Sequence, residues 1–328
     1  MTTDRPGGGE PRRVLVLGAT GTIGRATVRA LASRGHEVVC LVRQPAGPAL
    51  PAGVVERIVD LTDPVSLVRD GVRGESFDVL MSCLASRTGV PDDAWAIDYG
   101  AHVNALQAGR TAGVRHVVLL SAICVQKPIL TFQKAKLAFE AVLIASGLDY
   151  TIVRPTAFFK SLSGQIDRVR RGKPFLVFGD GTLTACKPIG DDDLGRYLAD
   201  CLDDEERRNR VLPIGGPGEA ITPKAQGERL FALLGREPRF IHVPVALLDA
   251  IVAVLATAGR WVPALAAKAE LARIGRYYAT ESMLVLDPAT GRYDARATPS
   301  AGSETLFDYY ARVIRGEAVA ERGDHAVF

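Results

Sequence analysis

The sequence feature that most constrains the fold is a glycine-rich turn near the start of the chain, Gly18-Ala-Thr-Gly21-Thr-Ile-Gly24. The turn directly follows the apolar run at residues 14–17 and opens an amphipathic stretch that ends near Gly35. The first glycine permits a tight turn, the second lets backbone N–H groups approach a pyrophosphate, and the third lets the helix pack on the strand. This order predicts a dinucleotide-binding unit, and the alternative is a tight turn without a ligand.

Short apolar runs alternate with amphipathic stretches through the first half of the chain. Near-continuous β-branched strands separated by helices are typical of a parallel sheet that is covered on both faces. The predicted strands are residues 14–17, 37–42, 54–59, 77–84, 116–121 and 150–154, and the predicted helices are residues 22–33, 65–70, 95–112 and 133–146. We therefore predict an α/β fold, a doubly wound Rossmann-type parallel sheet with a smaller C-terminal substrate-binding part.

The pattern changes after Pro155, where Gly-Asp-Gly and Pro-Gly loops interrupt the alternation. Further helices are predicted at about residues 191–202, 224–234, 245–258 and 303–315. We expect a flexible tail at residues 1–12 and an NADP-binding Rossmann domain at residues 13–155. Residues 156–328 are expected to form C-terminal substrate-binding elements that pack on that domain.

Composition and charge argue against several classes of protein. The 40 basic and 37 acidic residues leave a net charge of +3, which is too balanced for a basic nucleic-acid-binding surface. The five cysteines form no C-x-x-C pair and the histidines are scattered, so no metal site is expected. The chain starts without the apolar segment of a secretory signal, and its most apolar stretch, residues 243–258, is interrupted by Asp249. We expect a cytoplasmic protein.

In folds of this kind, the residue after the second strand determines whether the protein prefers NAD or NADP. An acidic residue there would bind the ribose 2′-hydroxyl, whereas this chain has Arg43, whose charged guanidinium suits a 2′-phosphate. The alternative is an exposed loop arginine. We predict NADPH as the cofactor, held by the glycine turn, by Arg43 and by the segment at the end of the fourth strand: Gly18, Gly21, Gly24, Arg43, Cys83, Leu84 and Ala85.

The glycine spacing resembles that of the atypical short-chain dehydrogenases/reductases, the NmrA-like group. The resemblance implies that further residues contact the cofactor: Thr20, Thr22, Ile23, Asp60, Leu61, Lys136 and Pro155. That resemblance implies a Tyr-x-x-x-Lys pair on the helix after the fifth strand, but here the stretch reads Phe132-Gln-Lys-Ala-Lys136. Lys136 and Ser121, at the end of the preceding strand, are the predicted catalytic residues. Because a phenyl ring cannot donate a proton, either catalysis is lost or the substrate is a conjugated C=C bond that needs no acid at an oxyanion.

Longer stretches are similar to the NADPH-dependent 8-vinyl reductases of chlorophyll and bacteriochlorophyll biosynthesis. They are the runs SCLASRT at 82–88, SAICVQKPI at 121–129, FQKAKLAFEA at 132–141, IVRPTAFFKSLS at 152–163, FGDGT at 178–182, ACKPIG at 185–190, LPIGGPGE at 212–219 and IGRYYATESMLV at 274–285. The resemblance spans about residues 13–316. It implies that NADPH reduces the 8-vinyl group of a magnesium-containing 3,8-divinyl chlorophyllide or protochlorophyllide to ethyl. Plant relatives carry a transit peptide, whereas no such peptide is recognised at the start of this chain, so we expect a bacterial protein.

A flat tetrapyrrole requires a broad apolar cleft with a few polar anchors. The predicted substrate-binding residues are Phe132, Phe158, Phe159, Lys160, Tyr277 and Tyr278, and the alternative for the aromatic rings is that they fill the core. Lys160, Lys187 and Arg276 are candidates for binding the substrate's propionate. The apolar helix at residues 243–258, followed by Trp261, is expected to cover a core or cleft, and the alternative is peripheral contact with a photosynthetic membrane.

Two other classes of function stay open at this stage. The loss of the tyrosine favours a non-catalytic NADP(H)-binding redox sensor of the NmrA-like type, whereas the retained Lys136 and the long family runs argue against it. A structural or nucleic-acid-associated Rossmann protein is disfavoured by the balanced charge. The tetrapyrrole substrate is therefore the expected small-molecule partner, without nucleic acid.

Overall fold

The computed structural model describes residues 10–45 and 50–319, and within them the chain forms a seven-stranded sheet. The strand order is β3-β2-β1-β4-β5-β6-β8, and the five pairings from β3 to β6 are parallel. The strands are β1 Arg13–Leu17, β2 Glu37–Val42, β3 Val55–Ile58, β4 Val79–Ser82, β5 His116–Leu120, β6 Asp149–Pro155 and β8 Arg210–Ile214. The order reverses beside β1, which confirms the doubly wound α/β prediction.

Helices connect these strands. They are α1 Thr22–Ser33, α2 Pro64–Ser66, α3 Pro91–Asp93, α4 His102–Thr111, α5 Thr131–Ile144 and α7 Asp191–Asp200. Two of them have π-helical turns: Leu67–Val72 continues α2, and Ala94–Ala101 joins α3 to α4. The predicted helix at residues 95–112 is therefore present, but its first two turns have the wider π geometry, which sequence periodicity does not reveal.

The centre of the sheet is buried on both faces. The apolar residues of β1 from Val14 to Leu17 are fully inaccessible, as are Val39 in β2 and Met81 in β4. Strands sandwiched between two helical layers lose all solvent contact, which is why the sequence reads as continuous apolar runs. The buried sheet therefore fixes the positions of the segments that follow each of its strands in the chain.

The structure divides the chain into two compact units, and the division differs from the predicted boundary. Unit 1 contains the residues up to Ser86, Pro91–Pro155 and Asp191–Pro213. Helix α7 packs closely on α1, because a Cβ on Gly195 would lie only 2.6 Å from the carbonyl carbon of Ala26. The prediction assigned residues 191–213 to the C-terminal part, but α7 and most of β8 belong to unit 1.

Unit 2 comprises Arg87–Val90, Thr156–Gly190 and the chain from Ile214 onward. Its elements are α6 Ile166–Arg170, β7 Phe175–Phe178, α8 Pro223–Leu233, β9 Phe240–Val243, α9 Val245–Ala258, α10 Pro263–Thr280, β10 Val285–Leu286, β11 Tyr293–Asp294 and α11 Leu306–Arg315. β7 pairs with β9 in parallel, and β10 pairs with β11 in antiparallel. Phe175, Phe231 and Tyr310 are buried in its core. Helix α10 was absent from the sequence prediction.

The predicted tail lies mostly outside the described residues, since residues 1–9 are not among them. Arg12, at the end of that segment, is held: its guanidinium donates to the Leu202 carbonyl and lies 3.6 Å from Asp203. Its backbone N–H donates to Nδ1 of His36 at 3.2 Å. Within residues 10–45 and 50–319, no helix is both long and apolar enough to cross a membrane.

Candidate functional site

The glycine turn has the geometry that the sequence predicted. Gly18 has φ +72°, and a Cβ there would lie 2.5 Å from the carbonyl carbon of Cys83. A Cβ on Gly24 would lie 2.0 Å from the Gly18 carbonyl oxygen. Both positions therefore require glycine for the fold itself. At Gly21 the nearest atom to an added Cβ is 3.4 Å away, so the fold itself does not require glycine there. A glycine at this position leaves the space in front of the helix open.

Helix α1 begins directly behind this turn with Gly21 as its N-cap. Within this described helix, no side chain caps the N-terminus and no acidic residue occupies the first turn. The positive end of the helix dipole is therefore not neutralised by a carboxylate of the first turn. A helix end of this kind attracts an anion, and a dinucleotide pyrophosphate is the anion that the turn fits.

Arg43 and Asp60 follow β2 and β3, at the carboxyl ends of the strands. Arg43 is exposed at the first position after β2. Asp60 is also exposed, and its Oδ1 accepts from the backbone N–H and the hydroxyl of Thr62 at 2.9 and 2.7 Å. These hydrogen bonds lower the pKa of Asp60. Leu61 is buried, so it offers an apolar surface at this edge rather than a polar contact.

The end of β4 is fixed by a buried histidine. Nε2 of His102 lies 2.8 Å from the Ser82 hydroxyl, and Nδ1 lies 2.9 Å from the Ile97 carbonyl oxygen. Because a carbonyl only accepts, we assign the proton to Nδ1, and Ser82 then donates to Nε2. Burial, followed by the charge of Lys136, lowers the pKa of His102 to about 4, so the ring is neutral. This arrangement orients the predicted cofactor-binding segment that begins at Cys83.

The three residues of that segment differ in their environment. Cys83 and Leu84 are half-buried and Ala85 is exposed. Burial raises the pKa of the Cys83 thiol to about 11, so it is a neutral packing group whose Sγ lies 3.6 Å from the Thr27 hydroxyl. The backbone of this segment is therefore better suited than its side chains to line a cofactor.

Lys136 lies on α5 and forms a buried ion pair with Asp98. Nζ of Lys136 is 2.9 Å from Oδ1 of Asp98, and the two side chains are 11% and 0% exposed. The backbone N–H of Ser86 donates to the same oxygen at 3.1 Å. Burial by itself would raise the pKa of Asp98, but the Lys136 charge and the hydrogen bonds from Ser86 and Lys136 outweigh it, and the pKa is lowered. The carboxylate is therefore ionised.

Ser121 belongs to a second buried network. Its hydroxyl donates to Oε1 of Glu140 at 2.5 Å, and the Arg154 guanidinium binds the same carboxylate. Glu140 is 2% exposed. The Ser121 hydroxyl is therefore occupied by a structural hydrogen bond in this structure, and the predicted catalytic role would require it to change partner.

A small cavity lies between these two networks. It has a volume of about 10 Å³ and is lined by Asp98, His102, Leu119, Leu120, Ser121, Lys136 and Phe139. A volume of roughly 10–15 Å³ is the lower limit for one water molecule. Lys136 and Ser121, the two predicted catalytic residues, therefore line one cavity of unit 1. Phe132 is buried one helical turn before Lys136, on the same face of α5.

The predicted substrate-binding aromatic residues of unit 2 differ in exposure. Phe159 is buried in the core cluster of that unit, with its ring centroid 5.5 Å from that of Tyr309. Tyr277 is also buried, and it contacts Tyr278 edge to face at 5.6 Å. Phe158 is half-buried and Tyr278 is 41% exposed. Phe158 and Tyr278 thus have accessible ring surface for a ligand.

The three candidate cations for the propionate lie in different surroundings. Arg276 forms an ion pair with Asp249. Nζ of Lys187 donates to the Thr298 carbonyl at 3.1 Å and to the Ser300 hydroxyl at 3.0 Å. Lys160 lies on a short 3₁₀ turn, Lys160–Leu162, directly after the two phenylalanines.

Sequence reasoning missed Asp98 and His102 as site residues. Both lie four residues apart on the helix that follows β4, a spacing that places them on one face. That spacing, at the carboxyl edge of a parallel sheet, was the available signal. It was weak because the π-helical turns around Asp98 change which face the residue occupies.

In a comparison with known proteins, residues 18–205 match a family model that is described as NAD(P)H-binding. The divinyl chlorophyllide a 8-vinyl-reductase of Zea mays is 50% identical over 96% of this chain and 82% of its own length. This chain belongs to the 8-vinyl-reductase family. The Arabidopsis thaliana member is 48% identical over 95% of the chain and 79% of its own length, and both plant proteins are named as chloroplastic. The predicted family resemblance is confirmed.

A solved structure supports the fold assignment of this 8-vinyl-reductase family member. The NADPH-dependent quinone oxidoreductase QOR2 of Escherichia coli, complexed with NADPH, superposes with a TM-score of 0.64. The match covers 92% of this chain and 99% of that one at 18% identity. At that identity the likeness shows the fold alone, and the fold it shows is the one predicted from the glycine turn.

Proposed function

We propose that this chain is an NADPH-dependent reductase that converts the 8-vinyl group of 3,8-divinyl chlorophyllide, or of the corresponding protochlorophyllide, into an ethyl group. The observation that carries the proposal is the 50% identity to the Zea mays reductase over 96% of the chain, which includes both units. A relationship limited to residues 18–205 would support only cofactor binding.

The residues of unit 1 fit a nicotinamide dinucleotide. The turn from Gly18 to Gly24 would hold the pyrophosphate at the start of α1, and the Cys83 segment would flank the ribose. Arg43 favours NADPH over NADH, because its exposed guanidinium can form charge-assisted hydrogen bonds with a 2′-phosphate. When bound, NADPH supplies the hydride.

The chemistry at the substrate has to proceed without a tyrosine. Phe132 supplies an apolar surface one turn from Lys136 and has no proton to give. A conjugated macrocycle can delocalise the charge that hydride addition creates on the vinyl group, so no acid is needed at an oxyanion. The proton that completes the ethyl group is then added to carbon from water, from Lys136 or from another donor. We assign Lys136 to orient the cofactor's ribose and to hold positive charge near the reacting carbon atoms.

The test is a single-turnover assay with purified protein, NADPH and 3,8-divinyl chlorophyllide a, followed by HPLC with absorbance and mass detection. We expect a gain of two hydrogens and a blue-shifted Soret band. Lys136→Ala should lose at least about 90% of the rate, on the scale of an effect in general acid–base catalysis. Lys134→Ala is the matched control, because Lys134 lies exposed on the same helix.

The opposite result has a defined meaning. If NADPH binds tightly but the pigment is unchanged, the reductase proposal is wrong and the non-catalytic NADP(H) sensor takes its place. Phe132→Tyr tests the chemistry of the reductase itself: it adds the missing proton donor, and a large gain in rate would contradict the inference that the conjugated substrate needs no such donor.

We also propose where unit 2 meets the pigment. Phe158 and Tyr278 have accessible ring surface, and Lys160 follows Phe158 by two residues, so the rings would contact the macrocycle while the lysine binds the propionate. Lys160→Ala should raise KM for the pigment and leave KM for NADPH unchanged. An unchanged pigment KM in this variant and in Lys187→Ala would contradict the assignment.

A cytoplasmic location with peripheral contact with a pigment-bearing membrane is the third proposal. Helix α9 has a single charged residue, Asp249, and none of its described side chains is buried. Leu247, Ile251 and Val254 are 51%, 40% and 67% exposed, and Trp261 is 85% exposed. An exposed apolar helix followed by a tryptophan is typical of interfacial binding. Trp261→Ala should reduce sedimentation with liposomes, whereas Trp95→Ala, in unit 1, should not.

A further inference from the structure

Asp98 is the most deeply buried charged side chain at the site and belongs to no predicted role. Its side chain is 0% exposed, and Oδ1 accepts from Nζ of Lys136 and from the backbone N–H of Ser86. Ser86 closes the segment after β4, and Lys136 lies on α5. One carboxylate oxygen therefore joins the predicted catalytic lysine to the predicted cofactor-binding segment.

The helix around Asp98 is distorted where this contact is made. Residues Ala94–Ala101 form π-helical turns between α3 and α4. A π-helix in place of α-helical turns is rare and is frequently found at functional sites. The distortion places Asp98 against α5, and helix α5 packs against this segment. The cost of the distortion indicates that the position of this carboxylate matters.

The second carboxylate oxygen is not used by the described protein. Oδ2 of Asp98 is buried without a hydrogen-bond partner among the described residues. Buried carboxylates that only stabilise a fold are hydrogen-bonded at both oxygens in most proteins. Asp98 and Lys136 both line the 10 Å³ cavity, together with Ser121 and His102. The ion pair therefore borders a cavity that is about the size of one water molecule, so side chains do not pack against the pair on every side.

We propose that Asp98 is a positioning residue of the reductase, which holds the Lys136 ammonium at the cofactor's ribose. The inference rests on the proposed function. Asp98 acts through Lys136 and does not touch the substrate. The other groups near the pair do not compete for this role: His102 is neutral with both ring nitrogens occupied, and Glu140 is engaged by Ser121 and Arg154.

The decisive variant is Asp98→Asn, which keeps the shape and an acceptor oxygen but removes the charge. We expect kcat to fall at least tenfold while KM for the pigment changes less than twofold. Asp92→Asn is the matched control, since Asp92 lies exposed on α3, just before the same π-helical turns.

A double-variant cycle separates positioning from a general structural role. If Asp98 acts through Lys136, then Asp98→Asn has no further effect on kcat in the Lys136→Ala background. Losses that multiply would overturn the proposal. If Asp98→Asn does not fold, as judged by circular dichroism, Asp98→Glu retains the charge but displaces the lysine. The proposal then requires a lower kcat with a nearly unchanged KM for the pigment, and full kcat would overturn it.

NADPH binding provides a readout that does not depend on the reaction. The affinity of each variant for NADPH, measured by cofactor fluorescence, should weaken at least tenfold in Asp98→Asn and stay unchanged in Asp92→Asn. If the wild-type protein binds NADPH and leaves the pigment unreduced, the proposed function fails while this measurement still tests Asp98. Equal affinity in the wild type and Asp98→Asn would contradict the positioning role.

Discussion

The glycine turn allows the cofactor site to be tested separately from the fold, through Gly21→Ala. Gly21 has φ −70°, and an added Cβ would meet only the Gly18 carbonyl oxygen, at 3.4 Å. The free energy of unfolding should therefore be unchanged or rise by about 0.4–1 kcal/mol, because alanine restricts the unfolded chain. The Cβ would instead occupy the space through which the pyrophosphate approaches the N-terminus of α1.

The effect on binding follows from the hydrogen bonds that the methyl group would displace. Losing one charge-assisted bond of about 1.5–3 kcal/mol corresponds to a Kd for NADPH that is about 10- to 150-fold weaker. Gly24→Ala is the contrasting variant, because its Cβ would lie 2.0 Å from the Gly18 carbonyl oxygen. Overpacking of this kind costs about 1–3 kcal/mol of stability, so both stability and binding should fall.

The assays are urea unfolding and titration of NADPH fluorescence, carried out on the same preparations. A Gly21→Ala protein that binds NADPH as tightly as the wild type would refute the assignment of this turn to the pyrophosphate. A Gly21→Ala protein that loses stability to the same extent as Gly24→Ala would refute the distinction between a glycine needed for the ligand and one needed for the fold.

Three further predictions concern other parts of unit 1. Arg43→Ala should lower kcat/KM for NADPH about tenfold or more while kcat/KM for NADH changes little, as measured by the ratio of initial rates, since one charge-assisted interaction with the 2′-phosphate is lost. Glu140→Ala should lower the free energy of unfolding by about 1–3 kcal/mol in urea, because it leaves the half-buried Arg154 and the buried Ser121 hydroxyl without their partner, whereas Glu56→Ala on the exposed side of β3 should not. Acid should destabilise the protein through His102 and His116, whose pKa values burial lowers to about 4. The unfolded chain then binds more protons than the folded one below pH 6.5, so each histidine should lower stability by about 2 kcal/mol between pH 7.5 and pH 5, and His102→Gln should remove about half of this loss.

The sequence predicted the sheet well because each strand carries its own signal. The apolar runs at β1, β2 and β5 are bounded by glycine or charged residues, and burial on both faces makes them continuous. The C-terminal unit was harder to predict. Helix α10 is rich in alanine and contains charges at irregular spacing, so its periodicity was too weak to indicate a helix of 18 residues.

The Lys136–Asp98 ion pair shows the limit of predicting a site from sequence. Lys136 was found because a known motif places a lysine on that helix. Its partner Asp98 lies 38 residues earlier, and nothing in the linear pattern joins the two. The ion pair depends on a π-helical segment that changes which residues of the helix face α5. This segment is visible in the structure but not in the sequence pattern.

Phe132 helps to separate a reductase that acts on carbon–carbon double bonds from one that acts on carbonyl groups. A carbonyl reductase would require a proton at an oxygen atom, and a phenyl ring cannot supply it. A vinyl group conjugated to a macrocycle places the developing charge on the substrate itself, so the protein brings the two reactants together and holds positive charge nearby, and the proton that completes the ethyl group is added to carbon afterwards. A buried ion pair by itself contributes little to stability, so the Lys136–Asp98 pair beside the cavity is better explained by a role toward the cofactor than by a role in folding. An enzyme that has this pair, with Phe132 in place of the tyrosine, is therefore expected to act on a C=C bond rather than on a carbonyl group.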